Sequence, residues 1–302
     1  MDDFPIVDAH QHFWRLHGGP LYYPWLQDAT PHDFFLGDYA PLKRDYLPDD
    51  YRRDAAAHNV VKTVHVEAEC ARDQQVEETQ WLTELHARTG LPSAIVAHAW
   101  FHTRDAEEIL ARQAAHPLVR GIRSKPVTAP SPAAMQPGAP GSMQDPNWLA
   151  GFKLLRDFGL AWDLRVPAWH LEEAAAVVRA HPDIPVVLNH TGFPWDRSAA
   201  GLALWRHGMR ALAACPSCWC KLSCLCLRDA PWDYESNRAI VLEAIDLFGP
   251  DRCMFASNYP VDALRVGYGQ MFDDYKRMTA GFTATERRKL FHDSAARFYR
   301  LD

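Results

Sequence analysis

The chain lacks any polybasic run, although its 302 residues include 32 Lys and Arg against 38 Asp and Glu. The net charge of −6 excludes the basic excess that a nucleic-acid surface needs. No window approaches the roughly 20 apolar residues of a membrane span. Residues 1–8, MDDFPIVD, have neither the basic start nor the apolar stretch of an export signal, so the expected address is the cytoplasm. No Gly-rich phosphate loop follows the first apolar run, which counts against a doubly wound nucleotide-binding sheet. Cysteine is also short of metal-site spacing. Of seven Cys, five fall in CPSCWCKLSCLC, as Cys215, Cys218, Cys220, Cys224 and Cys226. Cys215 and Cys218 have zinc-pair spacing, but the second spaced pair that a structural site needs is missing. The thiols alternate with Lys221 and Ser223, as on a two-faced strand, which predicts a buried strand with reduced, zinc-free thiols.

What is present is apolar sequence in short pieces. Hydrophobic residues make up 48% of the chain, enough for a sizeable core. Eight apolar runs recur: Phe4–His10, Val60–Glu67, Ala94–Trp100, Leu118–Ser124, Leu160–Leu164, Ile184–His190, Cys218–Ser223 and Cys253–Ser257. Segments of helical periodicity separate them, such as AWHLEEAAAVVRAHP and ESNRAIVLEAIDLFG. Eight buried strands alternating with helices predict a parallel (β/α)8 barrel of the TIM type, in one domain spanning residues 1–302. Two connections, Phe13–Pro48 and Lys125–Pro146, are long enough to shape a site. The first is rich in aromatics and is expected to be ordered over it.

Polar residues gather at the C-terminal ends of these runs, where barrel enzymes keep their chemistry. VDAHQHFW sets His10 and His12 on one side of the first strand, in a row with Asp8. The second run ends HVEAE, with His65, Glu67 and Glu69. The third offers His98, the fourth Arg123, the sixth His190, and the seventh Lys221 or Ser223. The eighth ends FASNYPVD, with Asn258 and Asp262. A barrel without chemistry has no reason to bury so many polar groups there.

VDAHQHFW, YPWL, RDYLPDDY, GIR, VLNHTG, KLS, SNYPVD and LFHDSAARFYRL, in this order, resemble the amidohydrolase superfamily. The nearest likeness is to its lactonase-type branch, which opens pyrone dicarboxylates and sugar-acid lactones. The resemblance implies a hydrolytic site around His10, His12 and His190, with Arg123 holding a substrate carboxylate. It also implies a water-activating aspartate on the eighth strand, where this chain has Asn258. Metal-dependent relatives carry a histidine on the fifth strand, and LAWDLRV has none. Two arrangements follow. The three histidines hold one divalent ion, zinc first, with a position open for water; or they polarise a lactone carbonyl without metal.

Asn258 has no ionisable group and cannot serve as general base. Glu67 is the first substitute, with a pKa expected to rise through partial burial. Asp262 and His190 follow. Tyr23, Trp25 and Asn258 are expected to face the substrate. The predicted enzyme is a hydrolase that opens a lactone or related cyclic ester of a small polar acid, with water as nucleophile. Two alternatives are a metal-dependent decarboxylase or hydratase of small carboxylic acids on the same fold, and a degenerate barrel that binds a small acid without turnover.

Overall fold

A computed structural model describes residues 4–301. Residues 1–3, part of the MDDFPIVD stretch that lacks an export signal's features, and residue 302 lie outside the described residues. Eight strands form one parallel sheet in sequence order. They are β1 (Ile6–Gln11), β2 (Val60–Val66), β3 (Ala94–Ala97), β4 (Val119–Ile122), β5 (Ala161–Leu164), β6 (Val186–Leu188), β7 (Cys218–Leu222) and β8 (Cys253–Phe255). Most of the strands are shorter than the apolar runs that predicted them. Their polar ends leave the ladder and turn toward the mouth of the barrel.

Closure occurs just beyond β8. The Asn258 amide donates to the His10 carbonyl at 2.8 Å, and the His12 amide donates to the Tyr259 carbonyl at 2.8 Å. The ring of strands is thus sealed at the level of the histidines, and closure itself sets Asn258 beside them. Alternate residues such as Val7, Ala9, Val64, Val66, Val96 and Val187 form one apolar cluster with Phe298 and Tyr299 of the last helix. Small and β-branched side chains fill the narrow lumen, as barrel packing requires. The other cluster joins the opposite strand faces to the helices outside. Three of those helices begin at side-chain caps that the sequence provides, Asp145, Ser198 and Asp233. No described helix is long and apolar enough to cross a membrane.

The expected row of Asp8 with His10 and His12 is not formed. Pairing with β2 shifts register between Asp8 and Gln11, and such a bulge re-aims side chains. Asp8 instead accepts hydrogen bonds from Tyr51 at 2.8 Å and Tyr268 at 3.3 Å. Both tyrosines are on helices.

The thiols sit as their alternation predicts. Cys218 and Cys220 lie on β7, and all seven cysteines are buried and unpaired. Burial raises the pKa of Cys218, Cys220 and Cys253, which makes them poor nucleophiles and poor metal ligands. An aromatic disulfide reagent should therefore find almost no fast thiol in the native protein and seven after denaturation. Rapid reaction of Cys215 or Cys218 in the folded state, or zinc released with them, would contradict this burial.

Candidate active site

His10, on β1, and His12, just past it, meet His190, just past β6. The His10 ring centroid lies 5.0 Å from His12 and 4.4 Å from His190. All three are buried. Burial, reinforced by nearby cations, lowers the pKa of His10 and His190 well below the ordinary range and that of His12 to about 4. The rings are therefore neutral near pH 7.

Each neutral ring has a definable tautomer where its neighbour can only donate or only accept. His12 Nδ1 lies 2.7 Å from the Val66 carbonyl, which accepts, so Nδ1 carries the hydrogen and Nε2 a lone pair. Lys221 Nζ lies 3.5 Å from His10 Nδ1. An ammonium only donates, so His10 offers N–H at Nε2, a buried atom with no partner among the described residues. His190 Nδ1 lies 3.1 Å from the Ser223 hydroxyl.

The cations are held from behind. Lys221 pairs with Asp163 at 2.5 Å with both side chains buried, and Tyr299 donates to the same carboxylate. Arg123 Nε donates to Glu67 Oε1, and its Nη2 to the Glu67 carbonyl, each at 2.6 Å. The expectation of a raised carboxylate fails at Glu67. Burial pushes its pKa upward, but Arg123 and Lys125 outweigh burial and hold it well below the ordinary range. Glu67 is thus a fixed counter-ion that orients Arg123.

Asp262 has the environment expected of Glu67. It is fully buried, and burial pushes its pKa up to about 7. It does not line the cavity. Its Oδ1 accepts from Asn258 Nδ2 at 2.8 Å, which turns Asn258 Oδ1 toward His12 Nε2, 3.4 Å away.

These groups open onto a cavity of about 300 Å³ lined by His12, His190, Arg123, Arg165, Asn258 and Glu69 under an aromatic rim. The rim comes from the long first connection, as its composition suggests. Trp14, Trp25, Phe34 and Phe35 line it, with Trp25 stacked on Phe34 at 5.5 Å. Trp25 is therefore where it was expected, but Tyr23 is not. Tyr23 is fully buried and absent from the wall. From the second connection only Lys125 approaches the site, through Glu69 at 2.5 Å; residues of its middle line a separate hollow of about 200 Å³. Arg165 was missed in the sequence, although it is a charged residue immediately after an apolar run, the same signal that marked Arg123.

The amidohydrolase family profile matches residues 7–301. The chain belongs to the amidohydrolase family. It is 38% identical to an uncharacterized protein of Sinorhizobium fredii over the full length of both chains. It is 30% identical to an L-fucono-1,5-lactonase of Burkholderia multivorans, over 98% of this chain and 96% of that one. A Burkholderia multivorans amidohydrolase crystallised with zinc is similar in structure, with a TM-score of 0.78 and 29% identity, covering 98% of this chain and 99% of that one.

In this amidohydrolase the donor set does not fit a firmly held zinc. His10 presents a hydrogen rather than a lone pair. Asn258 supplies no negative charge. Arg123, Arg165 and Lys221 surround the histidines, and all three lower the pKa of His190 electrostatically; the same field opposes a divalent cation. Among the described residues, no group of three or more His, Cys, Asp or Glu side chains is placed to hold a metal.

Asp262 gives the amidohydrolase a titration signature. A folded pKa of about 7 against an ordinary 3.8 means that the folded state binds the proton more tightly. The group's full stabilisation is present below about pH 4 and is lost as pH rises to about 7. That loss is worth about 4 kcal/mol. Asp262→Asn removes the titration. The melting temperature of the variant relative to wild type should therefore climb between about pH 4 and pH 7 and then level off. A constant offset would show that Asp262 is not so buried.

Proposed function

We propose that this amidohydrolase opens a lactone or related cyclic ester of a small polar acid, with water as nucleophile. The observation that carries the reading is the facing pair of acceptors, His12 Nε2 and Asn258 Oδ1, 3.4 Å apart at the cavity wall. Buried acceptors call for a donor, and a water molecule has two O–H groups to give them. His10, buried directly behind His12 and His190 with its ring centroid 5.0 and 4.4 Å from theirs, supplies a neutral Nε2–H donor suited to a carbonyl oxygen that gains negative charge. The lactonase-named relatives support the same chemistry.

In this reading the water oxygen attacks the ring carbonyl and its proton passes to His12 Nε2. A base with pKa of about 4 takes the proton only as the new C–O bond forms. The tetrahedral oxyanion is met by His10, with Arg123 in reserve. The ring C–O bond then breaks, and His12 returns the proton to the leaving alkoxide. The products are one hydroxyl and one carboxylic acid. Asp262 fixes the Asn258 amide and does not touch the water. Seven reduced thiols fit the cytoplasmic address expected for the enzyme.

A panel of lactones in a weakly buffered indicator assay tests the reading. At least one should release acid, and His12→Gln should slow turnover about 10²- to 10⁴-fold with the fold intact. Exhaustive chelation should leave the rate unchanged. A rate that vanishes with chelation and returns with zinc would overturn the metal-free mechanism. A decarboxylase or hydratase would instead leave all lactones intact and act on a free acid.

A further inference from the structure

We propose that Arg165 is an anion anchor, and that the substrate therefore carries a carboxylate in addition to its lactone ring. This deepens the lactone-hydrolase reading and rests on it for the ring. The argument is an inventory of charge at the cavity. Arg123 spends two of its three guanidinium nitrogens on Glu67, so its charge, although felt by the histidines, already has a bonded counter-ion. Lys125 is taken by Glu69 at 2.5 Å and Lys221 by Asp163 at 2.5 Å. Asp33, also on the wall, is paired with Arg228 at 2.9 Å. The three histidines are neutral.

Arg165 is what remains. It follows β5 directly, lines the cavity, and makes no hydrogen bond or ion pair with any described residue. Its contact is the face of Phe193, 5.2 Å from the guanidinium carbon, which holds the plane of the group in place and leaves its N–H edge uncommitted. It is half-buried, and loss of water lowers its pKa from the ordinary value. A guanidinium that gives up water without an internal acceptor is matched by a carboxylate, which can take two parallel N–H bonds. Glu69 and Glu67 favour the charge from a distance, but a neutral polyhydroxy lactone leaves the guanidinium without a bonded anion. A lactone derived from a dicarboxylic acid satisfies it, with one carboxyl closed into the ring and the other free on Arg165.

Binding can be read without turnover, because Trp14 and Trp25 line the same cavity. Tetrahydrofuran carboxylate and its carboxamide, which contain no lactone, serve as charged and neutral probes in a tryptophan-fluorescence titration at fixed ionic strength. Wild type should prefer the carboxylate about 10- to 100-fold, the range of a hydrogen bond to a charged group. Arg165→Gln should abolish that preference, and Arg165→Lys should keep part of it, with unchanged melting temperatures establishing that both variants fold. No preference in wild type, or a preference that survives Arg165→Gln, overturns the proposal. A lactone bearing a carboxylate and its carboxamide counterpart then separate the two readings. Hydrolysis of both at similar kcat/KM keeps the lactonase and removes the anchor. Loss of carboxylate binding in Arg165→Gln, with no lactone opened, keeps the anchor and removes the lactonase.

Discussion

Positive charge buried at the mouth of the barrel governs what the site can do. Arg123, Arg165 and Lys221 stand around His10, His12 and His190. Desolvation first, and then these cations, keep the imidazoles unprotonated. A neutral imidazole is both a donor and an acceptor, and its two roles are divided by what touches the other nitrogen. Lys221 behind His10 and the Val66 carbonyl behind His12 divide them in opposite senses. One ring then faces the site with N–H and the other with a lone pair. Two histidines of identical type, two residues apart, become a donor and an acceptor through their backing alone, the roles that the proposed hydrolysis assigns to an electrophile and a base.

The backbone delivers these groups by leaving the strand direction abruptly. Glu69, His190, Cys224 and Asn258 all adopt left-handed conformations, with φ of 59°, 59°, 53° and 54°. Each lies just past a strand. Non-glycine residues take that conformation at a cost of order 1–3 kcal/mol and cluster at functional sites. The strain is sustained here by closure of the barrel, since the Asn258 amide is bonded to the His10 carbonyl. The same contact that seals the sheet therefore sets the distance between the acceptor pair. In the proposed reaction, barrel closure and the placing of the attacking water would thus rest on one interaction.

The barrel was legible because strand and helix periods alternate eight times, and the meeting of His10, His12 and His190 because each ends an apolar run. Tertiary pairing was not legible. Glu67 reads as a free carboxylate until Arg123 and Lys125, more than fifty residues away, are folded onto it. Asp262 reads only as the second candidate base until burial raises it. A strict two-residue period placed Asp8 with the histidines, and the register shift in β1 moved it to Tyr51 and Tyr268. Tyr23 and Trp25 share one short motif, yet the helical turn that follows sends one into the core and the other to the rim. Arg165 carries the signal of a charged residue directly after an apolar run, but its lack of an internal ion-pair partner appears only in the folded chain.

Asn258 and the charged mouth explain each other. A carboxylate at that position would face His12 Nε2 directly, favour the imidazolium form, and supply the anionic ligand that a divalent ion lacks here. The amide does neither. It keeps an acceptor toward water while leaving His12 able to take a proton. The carboxylate is set one step back at Asp262, where burial holds it near neutrality and its one fixed bond orients the amide. Removing a negative charge from the wall has an electrostatic consequence: with Glu67 and Asp163 already paired and Glu69 bonded to Lys125, no described carboxylate forms an ion pair with Arg165. In the proposed reading the bonded anion comes with the substrate, so the amide that withholds a metal-binding charge from this wall is also the reason the substrate is expected to bring one.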